Sequence, residues 1–117
     1  MDRPGRVYKI CAAAEWAAAL ASGAYGGSAD DARDGYIHLS TAAQVGGVLD
    51  RYFKQATALV VITLETEALG AALKWEPNSK GEDFPHLYAA LPAKAVLAVE
   101  DLPDDQDGRA SFVRSLT

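Results

Sequence analysis

The apolar run from Ala58 to Leu64 constrains the fold of this chain more than any other stretch. It reads Ala-Leu-Val-Val-Ile-Thr-Leu and contains no charged residue. A continuous, β-branched run of this kind is typical of a strand that is buried on both faces, because a strand with one face in water alternates apolar and polar residues. The sequence therefore predicts a central strand with other elements packed on both sides.

The segment before this run predicts an amphipathic helix. Its apolar residues recur with the i, i+3, i+4, i+7, i+8 spacing of a core-facing stripe, and they are Val45, Val48, Leu49, Tyr52 and Phe53. Thr41 and Gln44 fit the S/T-x-x-E/Q pattern of a capping box. We therefore expect a helix that begins just after Thr41.

The N-terminal part predicts one further strand, one further helix and a loop. Val7–Ile10 has the composition of a short strand. The alanine-rich stretch Ala12–Ser22 predicts a helix whose buried stripe carries Trp16 and Leu20, four residues apart. The small, polar segment Gly26–Arg33 shows no periodicity, which predicts a loop.

The C-terminal part is predicted to consist mainly of strands. After a helical turn in Thr66–Leu73, the predicted strands are Lys74–Glu76, Phe84–Leu91 and a final core strand, Ala95–Val99. Residues 101–117 form an acidic segment that we expect to be solvated, with an end that docks loosely or stays mobile. Residues 1–117 are predicted to form a single compact α+β domain.

The charge and the cysteine content of the chain restrict its possible partners and its cellular compartment. The net charge of −5 argues against duplex nucleic acid as a partner, because phosphate binding needs a clustered basic surface. The single cysteine, Cys11, cannot form an internal disulfide, so nothing ties the chain to an oxidising compartment. No stretch is apolar enough to span a membrane, and Lys9 and Glu15 interrupt the apolar region that a signal peptide needs. We expect a cytoplasmic protein, with a monomer as the default.

Two predicted strands carry the only two histidines of the chain. In an extended backbone, Tyr36, His38 and Ser40 share one face, and His86 and Tyr88 share one face of the later strand. The first row ends at a predicted helix N-terminus, which suits an anion or a substrate oxygen. The simplest functional hypothesis is that both rows meet across one cleft, where the imidazoles act as acid–base or hydrogen-bonding groups.

Each candidate residue also has a purely structural interpretation. His38 can be a half-buried strand histidine beside a helix cap formed by Ser40 or Thr41. His86 can belong to an aromatic strand end, and Trp75 can be a core residue rather than a platform for a ring. No metal site is predicted, because zinc requires three or four suitable ligands at characteristic spacing.

Several of these motifs together resemble a known family of small bacterial proteins, a domain of unknown function. They are Val7–Ile10, Gly35–Thr41 with Gln44, Trp75–Glu76 and Phe84–Tyr88. This family is grouped with the ADP-ribosyltransferase-like fold, which also includes the RNA 2′-phosphotransferases. The resemblance implies a compact, split, mostly antiparallel sheet with two main helices that holds NAD or an ADP-ribosylated intermediate in its cleft.

The chain departs from the motif of that superfamily at two places. Its first strand offers Tyr8 and Lys9 where the superfamily has arginine or histidine, and the late glutamate has only Glu76 or Glu100 as counterparts. The segment His38–Thr41 does resemble the polar strand-to-helix segment of the fold. These departures leave two functional hypotheses open.

In the first hypothesis, the protein acts on NAD, ADP-ribose or a related ribose-phosphate ligand as a transferase or hydrolase. The catalytic residues are then His38, His86 and Glu76. The residues that bind the cofactor or substrate are Lys9, Tyr36, Ser40, Thr41, Trp75 and Tyr88. In the second, the same cleft belongs to a non-catalytic module that binds a small molecule or a peptide.

Overall fold

The computed structural model describes residues 4–116, so residues 1–3 and 117 of the predicted domain lie outside the described part. The strands are β1 Arg6–Ala12, β2 Ile37–His38, β3 Leu59–Glu65, β4 Leu73–Pro77, β5 Asp83–Leu87 and β6 Val96–Asp101. The α-helices are α1 Ala13–Ser22, α2 Ala29–Asp34, α3 Ala42–Tyr52, α4 Thr66–Leu69 and α5 Gln106–Ser115. Short 3₁₀ turns occupy Gly70–Ala72 and Ala93–Ala95. The prediction of an α+β fold is confirmed.

The strands form two three-stranded sheets with the orders β1-β3-β6 and β2-β5-β4. All the strand pairs in both sheets are antiparallel, in agreement with the mostly antiparallel arrangement that the family resemblance implied. The two sheets are linked through Tyr8 of β1 and Ser40, which follows β2. The Tyr8 N–H donates to the Ser40 carbonyl at 2.8 Å, and the Ser40 N–H donates back at 2.9 Å. This bridge fixes β2 beside the edge of the first sheet.

Strand β3 is the centre of the core, as its composition predicted. Six consecutive residues of β3, Leu59–Leu64, are buried. One apolar cluster, with Trp16 and Ile62, lies on one side, and a second, with Val45 and Val61, lies on the other. The prediction of a strand covered on both faces is therefore confirmed.

Helix α3 begins as predicted, but one residue of its predicted stripe is not in the core. The Gln44 side chain accepts the Thr41 N–H at 3.0 Å, and Val45 and Leu49 are buried. The Tyr52 side chain is 69% exposed, so its prediction as a core residue was wrong. Tyr52 lies on the last turn of the helix and faces a cleft instead of the sheet.

Helix α1 is also present, but Leu20 was wrongly placed on its buried face. Ala13, Trp16 and Ala19 contact the core, so the buried stripe follows a spacing of three residues. Leu20 lies off that stripe and is 65% exposed. The Trp16 ring packs on Tyr25 with 5.6 Å between ring centroids, and both residues belong to the first apolar cluster.

The predicted loop Gly26–Arg33 contains helix α2, so that prediction was wrong. Ser28 and Asp31 form a capping box: the Ser28 Oγ accepts the Asp31 N–H at 3.2 Å, and the Asp31 carboxylate accepts the Ser28 N–H at 2.9 Å. Gly35 then ends the helix in a left-handed conformation with a φ of 89°. Paired capping signals formed this short helix without any apolar periodicity.

The C-terminal region is more structured than its acidic composition suggested. Asp105 caps helix α5 by accepting the Gly108 N–H at 2.7 Å. Arg109 on that helix is buried and donates to three carbonyl groups, those of Phe53, Ala56 and Pro103. The molecule therefore has three helices of at least ten residues, α1, α3 and α5, rather than two main ones.

Strand β6 is an edge strand, which corrects its prediction as a core strand. The Leu97 and Val99 side chains on β6 are 48% and 42% exposed. None of the helices within residues 4–116 is both long and apolar enough to cross a lipid bilayer.

Candidate functional site

The two histidines lie directly opposite each other on paired strands. His38 of β2 and His86 of β5 are register partners, and their ring centroids are 5.8 Å apart. The Tyr36 ring stacks on His86 with a centroid distance of 4.0 Å and lies 4.7 Å from His38. The structure thus brings together the two polar rows that the sequence suggested would share a cleft.

His38 is held by two carboxylates from helix α2. Its Nδ1 lies 2.6 Å from Oδ1 of Asp31, and its Nε2 lies 2.9 Å from Oδ2 of Asp34. The Nδ1 contact is a hydrogen bond, and the Nε2 contact is an ion-pair distance. Both ring nitrogens of His38 therefore lie beside carboxylates of the chain, and neither is left free for a substrate.

Asp31 is the centre of a buried polar network. Its other oxygen accepts from the Lys9 ammonium at 2.8 Å, and both side chains are at least 95% buried. Burial by itself raises the pKa of Asp31, but the hydrogen bond from His38 and the charge of Lys9 outweigh it and hold that pKa well below its usual range. Lys9 also donates to the His38 carbonyl at 3.2 Å. The network therefore joins β1 to β2.

The close packing of Asp31 requires a glycine at position 27. A Cβ on Gly27 would lie 2.7 Å from the Asp31 Cβ, which is inside van der Waals contact. Gly27 also has a φ of 109°, a conformation that other residues rarely adopt. The small, polar segment before α2 therefore makes room for the carboxylate that holds His38.

His86 belongs to a second imidazole–carboxylate pair. Its Nδ1 lies 2.7 Å from Oε1 of Glu76 on β4, and the Tyr88 hydroxyl donates to the same oxygen at 2.7 Å. These hydrogen bonds lower the pKa of Glu76, and donation to the carboxylate raises the pKa of Tyr88. A carboxylate that accepts from Nδ1–H leaves the Nε2 lone pair of His86 as the basic position. Within residues 4–116, no protein group is hydrogen-bonded to that Nε2.

Both histidines line a cleft of about 610 Å³. Its walls are β2 and β5, one face of helix α3, and the loop from Pro77 to Glu82. The Gln44 amide ties α3 to that loop, because its Nε2 donates to Glu82 Oε2 at 3.0 Å and to the Asp83 carbonyl at 2.8 Å. The volume lies in the range of small-molecule sites.

The predicted site residues divide into two groups by position. Those that line the cleft are Lys9, Tyr36, His38, Ser40 and His86. Of the others, Glu76 is hydrogen-bonded to His86. Tyr88 lines a smaller neighbouring cavity of about 270 Å³ together with Tyr36. Thr41 is the N-terminal cap of α3, and the half-buried Trp75 packs against the core. Trp75 is therefore not part of the cleft wall.

The sequence interpretation missed four residues of the site: Asp31, Asp34, Arg51 and Tyr52. The capping pattern Ser28-x-x-Asp31 was a signal for α2, and the spacing of four residues between Asp34 and His38 suggested a local pair. Arg51 and Tyr52 gave no such signal. The helical pattern assigned Tyr52 to the core, and no motif included Arg51. Among residues 4–116, no group of three or more His, Cys, Asp or Glu side chains is arranged to hold a metal ion.

Comparison with protein-family models identifies the family. Residues 10–99 match the model described as Protein of unknown function (DUF952). The chain belongs to this family. The resemblance to a domain-of-unknown-function family is therefore confirmed, and the family description states no activity.

Solved structures of one relative share this fold. One is the crystal structure of protein CC0527 from Caulobacter crescentus, whose sequence is 40% identical to this chain. The match covers 93% of this chain and 98% of CC0527, with a TM-score of 0.85. The solution NMR structure of CC0527 is 43% identical over 90% of each chain, with a TM-score of 0.79. None of the functionally curated proteins compared with this chain matches it.

Proposed function

We propose that the cleft binds a ribose-phosphate ligand of the NAD or ADP-ribose class, and that His86 acts on it as the acid–base group. One observation carries this proposal. His86 lines the cleft, its Nδ1 lies 2.7 Å from Oε1 of Glu76, and no group of the described chain is hydrogen-bonded to its Nε2. A carboxylate-oriented imidazole at a cleft wall is a recurrent arrangement for proton transfer.

His86 and His38 take different roles in this proposal. His86 removes a proton with Nε2, and Glu76 stabilises the imidazolium that forms. Both ring nitrogens of His38 are occupied, because they lie 2.6 Å and 2.9 Å from carboxylate oxygens of Asp31 and Asp34, so His38 does not act as the base. The sequence hypothesis treated both histidines as catalytic, and the proposal keeps His86 as catalytic and gives His38 a positioning role at the cleft wall.

The chemistry of the cleft wall supports the proposed ligand class. Lys9 is engaged by Asp31, which leaves phosphate binding to the cations Arg51 and Lys80 that also line the cleft. Tyr36 offers an aromatic surface next to His86 for a ring of the ligand. The two three-stranded antiparallel sheets fit the split sheet that the resemblance to the ADP-ribosyltransferase-like fold implies.

The proposed reaction is hydrolysis or transfer at the ribose carbon that carries the leaving base. The Nε2 of His86 takes a proton from water or an acceptor hydroxyl as its oxygen bonds to that carbon. The glycosidic bond breaks, and the base leaves with the bonding electron pair. With NAD and water, the products are ADP-ribose, nicotinamide and a proton.

Titration of the protein with NAD and ADP-ribose tests the proposal. Isothermal calorimetry should detect binding at millimolar ligand or below, and chromatography should detect release of nicotinamide. His86→Ala should lower turnover about 10²- to 10⁴-fold, the usual contribution of a general base. Glu76→Gln should reduce it less, and Leu20→Ala, an exposed change on α1, should leave it unchanged.

Two results would contradict the proposal in different ways. Absence of binding by both ligands at millimolar concentration would reject the ligand class. Binding without turnover would instead favour the non-catalytic binding module, an alternative supported by the full engagement of Lys9 and His38 with acidic groups.

A further inference from the structure

The last turn of helix α3 presents an aromatic ring to the cleft. Tyr52 lines the cleft and its side chain is 69% exposed, although its helical spacing matches that of the buried Val45 and Leu49. An exposed tyrosine that flanks a cavity offers an apolar face for stacking and a hydroxyl for water. Tyr52 therefore has the properties of a platform for a flat ring.

Unpaired positive charge accompanies this ring. Arg51 precedes Tyr52 on α3, and Lys80 lies on the loop from Pro77 to Glu82, which also lines the cleft. In the part of the chain that the structure describes, neither side chain is paired with a carboxylate. Both cations are therefore available to an anionic ligand.

Four carboxylates of residues 4–116 line the cleft; three are paired with groups other than Arg51 and Lys80, among them Asp30 with Arg33, and Glu82 accepts from the Gln44 amide. Asp31 is bound by Lys9 and His38, and Asp34 is bound by Arg33 and His38. The cleft carboxylates that have a cationic partner therefore lie on helix α2, beside β2.

Helix α3 also leaves space at this end of the cleft. Gly47 lies one turn before Arg51 and lines the cleft, and a Cβ at this position would meet no atom within 4 Å. A glycine inside a helix is destabilising, and no packing contact requires this one. Its missing side chain instead enlarges the cleft next to Tyr52 and Arg51.

We infer that the C-terminal end of α3 is a second subsite that binds an adenine-type ring and the phosphates attached to it. Tyr52 stacks on the ring, and Arg51 and Lys80 bind the phosphates. Gln44 binds the carbonyl of Asp83 on β5, the strand that carries His86. Tyr52 lies eight residues further along α3, which is a rise of about 12 Å, so the two ends of the cleft are separated by about that length. The inference rests on the proposed function and extends it, because it makes the ligand a dinucleotide with its reacting half at His86 and its adenosine diphosphate half at Tyr52.

Calorimetric titration with separate halves of the ligand tests this assignment. ADP, NAD and nicotinamide mononucleotide are each titrated into the unsubstituted protein, Tyr52→Ala, Tyr52→Phe and the control Leu20→Ala. Tyr52→Ala should weaken binding of ADP and NAD about tenfold, as loss of one base-stacking contact does. Tyr52→Phe should retain that affinity, and nicotinamide mononucleotide should bind all four proteins equally.

A second variant tests the space at Gly47 without depending on Tyr52. Gly47→Leu fills the cleft, and its Cβ meets no atom within 4 Å; since leucine also favours a helix more than glycine does, the thermal unfolding midpoint should not fall. Its binding of ADP should nevertheless be lost. Arg51→Gln should weaken ADP binding and reduce its dependence on salt, because it removes an exposed phosphate contact.

The outcomes separate this inference from the proposed function. If NAD is cleaved but Tyr52→Ala binds ADP and NAD like the unsubstituted protein, the reaction stands and the second subsite is rejected. If ADP binding depends on Tyr52 while His86→Ala changes neither NAD binding nor cleavage, the subsite stands and the reaction is rejected. Failure of the unsubstituted protein to bind ADP, or equal weakening in Leu20→Ala, would also reject the subsite.

Discussion

The two sheets of this molecule use their side chains in opposite ways. In the sheet β1-β3-β6, Val61, Ile62 and Leu64 of the central strand have no exposed surface at all. In the sheet β2-β5-β4, one face is buried, while the other carries His38 and His86 toward the cleft. The first sheet supplies apolar burial, and the second holds polar groups in fixed positions. This difference predicts that substitutions in the buried strand β3 mainly lower stability, whereas substitutions on the cleft face of the second sheet mainly affect binding.

The largest effect is expected where the two sheets are tied together. Asp31→Asn leaves the buried Lys9 ammonium without its carboxylate, which should lower the free energy of unfolding by about 3–5 kcal/mol. Urea denaturation at pH 7 measures this. Lys9→Met removes the other partner, and a loss below about 1 kcal/mol in both variants would contradict the assignment of a tight buried pair.

The same residue predicts a pH dependence with a definite sign. The pKa of Asp31 is depressed in the folded protein, so its stabilisation is complete above the ordinary aspartate pKa of about 3.9 and is lost as the pH falls below it. The unsubstituted protein should therefore lose stability on acidification more steeply than Asp31→Asn. Parallel curves of unfolding free energy against pH would show that Asp31 is not the responsible group.

A somewhat smaller effect is expected in the first sheet. Ile62→Ala should destabilise the protein by about 3 kcal/mol, because it leaves a cavity in a fully buried strand. His86→Ala, on the cleft face of the second sheet, should cost within about 1 kcal/mol. Thermal and urea denaturation of both variants compare the sheets directly. Equal losses would show that the cleft face also contributes substantially to stability.

The loss of a helix cap should have a moderate effect. Ser28→Ala removes the acceptor of the Asp31 N–H at the start of α2 and should cost about 1 kcal/mol. Ser28→Thr keeps a hydroxyl and serves as the control. Because α2 also orients Asp31, proton NMR should show a changed environment for the His38 ring in Ser28→Ala only. An unchanged His38 signal would mean that α2 holds its position without this cap.

The smallest effect concerns the ionisation of Glu76. The hydrogen bonds from His86 and Tyr88 lower the pKa of this carboxyl, so carbon NMR should find its midpoint below that of an ordinary glutamate. Tyr88→Phe should raise the midpoint, and His86→Ala should raise it further. Phe84→Leu, on the same strand as His86, is the control. A midpoint that is unaffected by both substitutions would argue against the pair.

Local sequence patterns were sufficient to predict those elements whose apolar residues are the ones that the fold buries. The run of β3 and the stripe of α3 predicted their elements because burial of those residues follows directly from periodicity. Helix α2 was missed because six residues are too few for a periodic signal, and paired capping groups form it instead. Tyr52 was misplaced because periodicity does not show how far the packed core extends beneath a helix. Leu20 was misplaced because the buried stripe of α1 has a spacing of three residues, whereas Leu20 is four residues from Trp16.

The candidate site was predictable only in part for a related reason. Alternation within a strand put Tyr36 next to His38 and His86 next to Tyr88, and the pairing of β2 with β5 then set one row against the other. The partners of His38 depend on the turn at Gly35, which folds α2 back onto the strand. No spacing rule in the sequence specifies that contact, so Asp31 became recognisable only from the structure.

Arg109 has a consequence for where this protein can be divided. The family match ends at residue 99, inside β6, whereas the Arg109 guanidinium lies beyond it and donates to Phe53 and Ala56, just after helix α3. A recombinant fragment trimmed to the match would lose those donors and uncover the second apolar cluster, to which Phe112 and Val113 also contribute. Such a fragment should be prone to aggregation, and the boundary of sequence similarity is a poor guide to the shortest chain that folds.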